Sequence, residues 1–324
     1  YDFRALRPAP VVPRHLRFGV PERVQHTGEV LRDLDGEKAR VIVEEIREQG
    51  IRSIAVSLIH SYANPIHERK IESIVSEVLP EAHVTVSAEV LPEFREYERT
   101  STVCINAYVM PKVNDYVADL ERQMKDMGVG SDLYIMQSNG GVITAGTARR
   151  MSARTVLSGP AGGALTGVFL SRSIERPKVI TIDMGGTSSD ICLFEGGTPR
   201  LTTESEIGGY PIKLPMIDIN TIGAGGGSVA RIDAGGALQV GPESAGADPG
   251  PVCYGRGGTE PTVTDANLVL GRLNPAGLLG GEMPLQLDKA MEVLEEKIAR
   301  PLGLDVCQAA EGIIAVVNAN MIRG

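Results

Sequence analysis

The chain is organised around Val179-Ile180-Thr181-Ile182-Asp183-Met184-Gly185-Gly186-Thr187-Ser188-Ser189-Asp190. Its first four residues are apolar or β-branched and read as a buried strand. That strand delivers Asp183 to its end, directly before Gly185-Gly186 and the hydroxyls of Thr187, Ser188 and Ser189. Ile191-Cys192-Leu193-Phe194 resumes a strand, and Gly196-Gly197 offers a two-residue turn into a third strand, Arg200-Leu201-Thr202-Thr203. The predicted order is strand, glycine loop, strand, turn, strand: a hairpin meander and not a strand feeding a helix.

That order separates this loop from the common nucleotide loops. A P-loop needs Gly-x-x-x-x-Gly-Lys-Ser/Thr opening a helix, and a dinucleotide fold needs Gly-x-Gly-x-x-Gly opening one. Neither pattern is present. Without Cβ atoms, Gly185 and Gly186 let backbone N–H groups approach phosphate oxygens, and Thr187 and Ser188 extend the same candidate site. The loop carries no lysine, so a bound triphosphate would need Mg²⁺, for which Asp183 and Asp190 are the candidate metal-holding and catalytic carboxylates, through the ion's waters. An ordinary Gly-Gly hairpin with a solvated Asp fits the same letters, and the motif alone leaves both readings open.

Composition narrows the partners. The 324 residues are enough for two domains, with 42% apolar and 23% charged residues as in globular proteins, and the 38 glycines imply many tight turns. Tryptophan is absent and aromatics are few, which argues against a base-stacking surface for nucleic acid. A net charge of −9 argues against nucleic-acid backbones and anionic membranes. Cys104, Cys192, Cys253 and Cys307 lie far apart without a Cys-x-x-Cys pair. They read as small buried hydrophobes of a reduced, cytoplasmic protein. No apolar run approaches the length of a membrane span. The chain begins at Tyr1 without a methionine and stops at Gly324 just after a helical-looking stretch, so an internal piece of a longer polypeptide is expected.

Strands alternate with helices in the first half, which implies an α/β sandwich. Residues 1–25 carry four prolines and five arginines and read as irregular chain. Gly36–Gly50 reads as an amphipathic helix, Ile51–Ile59 as a strand, Pro65–Leu79 as a helix and His83–Val90 as a strand. A further helix is expected toward Met110, continuing through Pro111–Gly128. Leu133–Met136 is a short strand, and Gln137–Gly141 after it is a weak site candidate or a plain turn. The small-residue helix Ala164–Leu170 is expected to pack closely against a neighbour, with a second lobe from residue 172. Farther on, Ile217–Ile222 leads into a second glycine run, whose Gly225, Gly226 and Gly227 are weaker candidates for the same ligand cleft. Gly235–Tyr254 reads as a long functional loop, Thr262–Leu270 as a helix capped by Thr264 or Asp265, Leu287–Ile298 as an amphipathic helix and Ala309–Ile322 as helical. His60 and His67 flank a turn, where capping or surface hydrogen bonding competes with a metal or general-base role. No Ser-His-Asp order or nucleophile elbow can be read.

Together the ordered segments Ser57–Glu68 (SLIHSYANPIHE), Glu89–Pro111, Gln137–Gly141, Leu157–Gly163 (LSGPAGG), Asp183–Asp190 (DMGGTSSD), Ile222–Ala230 (IGAGGGSVA), Gly241–Gly258 and Pro261–Leu273 resemble the hydantoinase A / 5-oxoprolinase family. The ATP-dependent acetone and acetophenone carboxylase subunits are its close relatives. The resemblance implies an α/β ATPase of the actin, Hsp70 and sugar-kinase superfold, with two ribonuclease-H-like lobes of mixed sheets flanked by helices. Residues 1–171 would be the remainder of the first lobe plus a connecting helix at Leu157–Leu170. Residues 172–324 would be a truncated second lobe, with Asp183–Asp190 as its phosphate loop. It further implies ATP and Mg²⁺ as cofactors, a small cyclic amide such as a hydantoin or 5-oxoproline as substrate, and a hydantoinase B-like second subunit. The ring would open after phosphorylation of its carbonyl oxygen. A ketone carboxylase subunit and a non-catalytic partner subunit are the alternatives. Nothing in residues 1–170 reads Asp-x-Gly-Gly-Thr, so the family's first phosphate loop is missing, as is the glycine pair expected to hold adenosine. The chain as given is therefore expected to bind ATP weakly or not at all, and to be inactive.

Overall fold

The computed structural model describes residues 9–278 and 281–324. Val179–Met184 and Ser189–Glu195 pair antiparallel, from Val179 opposite Phe194 to Met184 opposite Ser189. No helix follows the loop. Gly196 and Gly197 make the next turn with φ of 65° and 71°, the left-handed pair that a tight hairpin turn requires. The third strand is shorter than the sequence implied: only Thr198–Pro199 pairs back. Pro199 has no N–H to continue a ladder, and Leu201–Thr202 pairs instead with Met216–Ile217. Ile219–Ile222 runs antiparallel along Ser189–Cys192, so Ser189–Glu195 is the middle strand of this small sheet.

The chain divides into two compact units, Tyr1–Gly162 with Arg200–Ile217, and Gly163–Pro199 with Asp218–Gly324. The division falls inside the helix Ser158–Ser173, not at residues 171–172, and the return of Arg200–Ile217 to the first unit was not foreseen.

In the first unit, Ser53–Val56 and His83–Val86 pair in parallel and are joined through the helix Ile66–Val78. The amphipathic helix Gly36–Glu48 starts where the Asp35 carboxylate accepts from the Lys38 N–H at 2.9 Å. Ile42, Val43, Ile46, Val56, Ile71 and Val75 form its core, each contributing about 1.5–3 kcal/mol by burial. Of the irregular stretch read over residues 1–25, the first eight lie outside the described residues; the rest holds only a short turn at Arg14–Leu16 and the strand Arg23–Val24.

One departure in this unit has a local cause. The strand read over His83–Val90 ends at Val86, and Ser87–Val90 is helical. The buried Glu68 carboxylate accepts from the Ala88 N–H at 2.8 Å and the Ser87 hydroxyl at 2.6 Å, which pulls the chain out of the strand. The helix Glu96–Asp126 runs unbroken through Pro111. Proline has no N–H for the carbonyl four residues back, and that carbonyl, on Ala107, accepts instead from the Ser53 hydroxyl. Ser53→Ala should therefore lower stability by about 1–2 kcal/mol, read as a shift in the urea midpoint; an unchanged midpoint would show that the Ala107 carbonyl needs no partner.

The core of the second unit lies between Leu294 and Ile298 of one helical segment, Ala309, Ile313 and Val317 of Val306–Arg323, and Ala230 and Val240 of a hairpin. That hairpin corrects the long loop read at Gly235–Tyr254: Leu238–Ser244 is a strand paired with Ser228–Ile232. Its Gly241-Pro242 hid the alternation of Leu238 and Val240. The helix Leu287–Leu294 continues as a wider turn over Glu295–Ala299. Among the described residues no single helix is long and apolar enough to cross a membrane.

Candidate functional site

The hairpin places Asp183 directly opposite Asp190, so both carboxylates project from one face of the sheet. Thr221, opposite Asp190 on the other neighbouring strand, donates its hydroxyl to Asp190 Oδ1 at 2.6 Å. Thr181 and Phe194 lie on the same face, against the helix Ser158–Ser173. A Cβ on Gly167 would come within 2.5 Å of Thr181 and 2.8 Å of the Phe194 ring, so the small residues of that helix are what let it close on the hairpin. Like charges directly opposite each other destabilise a sheet, a cost that a cation shared by Asp183 and Asp190 would remove. Two carboxylates fit Mg²⁺, which keeps several waters and takes its remaining ligands from phosphate. No group of three or more His, Cys, Asp or Glu side chains suited to a metal occurs among the described residues.

The loop itself is tight. Gly185 donates its N–H to the Ser188 carbonyl at 2.9 Å, and Gly185, Gly186 and Thr187 are exposed. Among the described residues the N–H groups of Gly186, Thr187 and Ser188 have no acceptor. Three adjacent amide donors at an exposed glycine turn make a concavity suited to an anion.

The second glycine run comes to the same place, in a different capacity. Gly226 donates to the Gly185 carbonyl at 3.0 Å, and Gly227 to the Gly186 carbonyl at 2.6 Å. Gly225 donates to the Ser228 hydroxyl at 2.8 Å, and the Ser189 hydroxyl is held by the Ala224 carbonyl at 2.5 Å. The N–H groups of Gly225, Gly226 and Gly227 are thus all engaged within the protein. Their lack of side chains serves close approach: a Cβ on Gly225 would sit 2.7 Å from the Gly186 carbonyl and from the Thr187 carbonyl carbon. Residues 223–228 form a backbone cradle under the 185–188 loop.

Side chains that the sequence reading did not connect with the glycine loops tie this cradle down. Thr264 donates both its N–H and its hydroxyl to the Gly226 carbonyl, each at 2.7 Å. The Ser244 hydroxyl reaches Thr187 Oγ1 at 3.4 Å. The helix Val263–Val269 is capped by Thr262, not by Thr264 or Asp265, in a reciprocal box with Asp265. The Thr-x-x-Asp spacing of residues 262–265 was the available signal. Buried Asp265 also accepts the Val252 and Cys253 N–H groups at 3.3 and 2.8 Å. Burial, with Asp265 alongside, pushes the Cys253 thiol well above its usual range, so it stays protonated and is a poor nucleophile at neutral pH.

The remaining candidates serve structure. His67 Nδ1 bonds the Glu22 carboxylate at 2.9 Å in a buried pair, and His60 Nδ1 bonds the Val24 carbonyl at 3.0 Å. In Gln137–Gly141 the Ser138 N–H and hydroxyl both donate to the Arg154 carbonyl, at 2.8 and 2.7 Å. A cavity of about 950 Å³ in the first unit is walled mainly by apolar side chains such as Ile42, Ile46 and Ile54. None of the residues proposed from sequence for phosphate or metal lines it.

Comparison with known proteins gives the family. Residues 99–324 match the hydantoinase/oxoprolinase family, and residues 1–79 match the hydantoinase/oxoprolinase N-terminal region. The chain is 42% identical to the caprolactamase subunit alpha of Pseudomonas jessenii over 314 residues, covering 97% of this chain and 45% of that protein. Among solved structures it resembles the ATP-dependent caprolactamase from Pseudomonas jessenii, with a TM-score of 0.82 and 41% identity, over 100% of this chain and 47% of that one. It also resembles nucleotide-free acetone carboxylase, from work on ATP-dependent acetone carboxylation, with a TM-score of 0.84 and 32% identity, over 97% of this chain and 45% of that one. The chain thus spans about half the length of these relatives. With both parts of the family matched in order along a mixed α/β chain, this protein belongs to the hydantoinase/oxoprolinase family.

Proposed function

We propose that the Gly185–Ser188 loop binds the phosphates of ATP in an enzyme that opens a small cyclic amide. The observation that carries the reading is the run of three N–H groups without acceptors, at Gly186, Thr187 and Ser188, beside two carboxylates in register. The likeness to an ATP-dependent caprolactamase supports the substrate class. An unstrained amide is a poor electrophile with a poor leaving group; phosphorylating its carbonyl oxygen lets water add at carbon. The adduct then expels the protonated ring nitrogen as an amine to leave an open-chain acyl phosphate, and a second water displaces phosphate to give the carboxylate. The protein's part in such a transfer is positioning and charge neutralisation. The amides of Gly186, Thr187 and Ser188 and the hydroxyl of Thr187 would orient the phosphates, while Asp183 and Asp190 would hold Mg²⁺, whose charge offsets that of the polyphosphate. Gly225–Gly227 would contribute by shaping the loop from below.

The same proposal includes a ribonuclease-H-like lobe around the meander, a cytoplasmic location and a hetero-oligomer with a hydantoinase B-like subunit. The subunit designation of the caprolactamase relative supports the last of these. A ketone carboxylase is the second reading, favoured by the TM-score of 0.84 to acetone carboxylase. The test is ATP hydrolysis by the full-length protein with its second subunit, supplied with lactams, hydantoins and 5-oxoproline in one series and ketones with bicarbonate in another. Stimulation by cyclic amides alone is the expected result. Stimulation by ketone and bicarbonate alone would favour the second reading, and no ATP turnover with either would make this a non-catalytic subunit.

A further inference from the structure

We infer that Thr264 is a positioning residue that sets the 185–188 loop through one peptide unit of the glycine cradle; its relevance to phosphate rests on the reading proposed above. The link is short. Both donors of Thr264 end on the Gly226 carbonyl, and the N–H of Gly227, in the same peptide group as that carbonyl, ends on the Gly186 carbonyl at 2.6 Å. The adjoining Gly226 N–H holds the Gly185 carbonyl at 3.0 Å, and Gly185 closes the loop onto the Ser188 carbonyl. Donors and acceptors in such a chain polarise one another, so fixing one end fixes the rest.

Thr264 is itself firmly placed. It is the second residue of the helix Val263–Val269, whose start is locked by the Thr262–Asp265 box, and Asp265 gathers Val252 and Cys253 as well. Gly226 and Thr264 are matched in shape: a Cβ on Gly226 would sit 2.9 Å from Thr264 Oγ1, so the hydroxyl occupies the space that the missing side chain leaves. The hydroxyl reaches no part of the loop directly. It acts by aiming the peptide group that joins Gly226 to Gly227.

Two measurements separate this relay from the phosphate reading. Thr264→Val keeps the branched shape and the N–H but removes the hydroxyl. In the 324-residue chain, hydrogen exchange at Gly226 and Gly227 should quicken by about fivefold to tenfold, with the Val306–Arg323 helix unchanged, and Thr264→Ser should restore the parental rate. In the full-length protein the KM for ATP should rise by a similar factor while kcat stays within about twofold, again restored by Thr264→Ser. Unchanged exchange at Gly226 and Gly227 in Thr264→Val overturns the relay. Faster exchange with an unchanged KM upholds the relay and overturns the phosphate role of the loop.

Discussion

Asp183→Ala in the full-length protein is expected to lower ATP turnover by about 10²–10³-fold while leaving the fold intact. Asp183 is exposed and sits opposite Asp190 at the end of the hairpin. Removing it takes away one of the two carboxylates proposed to hold Mg²⁺ and leaves no buried partner without a mate. Stability should therefore stay within about 0.5 kcal/mol of the parent, and relief of the repulsion between opposed carboxylates could even raise it slightly. Steady-state ATPase rates with Mg²⁺, run beside thermal melts, check both halves. Parental turnover in the variant would rule out the metal role.

Gly225→Ala should be a strongly damaging small substitution at the cradle. Carbon atoms in contact normally lie about 3.5–4.0 Å apart, whereas the new methyl would stand 2.7 Å from backbone atoms of Gly186 and Thr187. Backbone cannot swing aside as a flexible side chain can, so the loop or the cradle must shift. Crowding of this kind costs about 1–3 kcal/mol, and here it would also disturb the Gly226 and Gly227 hydrogen bonds. The expected result is a lower denaturation midpoint together with a weakened affinity for ATP. Gly235→Ala makes a fair control, because the nearest atom to its Cβ is the Asp233 carboxylate at 3.3 Å, the end of a side chain. If Gly225→Ala behaves like that control, the cradle is not in contact with the loop in solution.

Local pattern carried the centre of this fold. Four apolar or β-branched residues, a glycine corner and a second apolar run specify an antiparallel hairpin by themselves. The amphipathic helix at Gly36–Glu48 was legible for the same reason, since its cues lie within a few residues of one another. What escaped the sequence depends on residues brought together from far apart. The glycine run at 225–227 reads as a second anion loop until the N–H groups of Gly226 and Gly227 are seen engaged by residues some forty positions earlier and that of Gly225 by Ser228. The helix through Pro111 was legible, but not the hydroxyl that replaces its missing donor, which comes from Ser53. Leu238–Ser244 reads as a loop because Gly241-Pro242 mimics a turn, although a partner strand overrides it. Arg200–Thr203 has good strand residues, yet its partner is Met216–Ile217 and not the meander. The site was therefore legible in its residue types, while the division between donors and scaffold was not.

The most direct test is a crystal structure of the full-length protein with Mg²⁺ and a non-hydrolysable ATP analogue. Phosphate oxygens within about 3.2 Å of the Gly186 and Thr187 nitrogens, with the ion beside Asp183 and Asp190, are the predicted result. A nucleotide bound elsewhere, with those amides still facing only solvent, would contradict it.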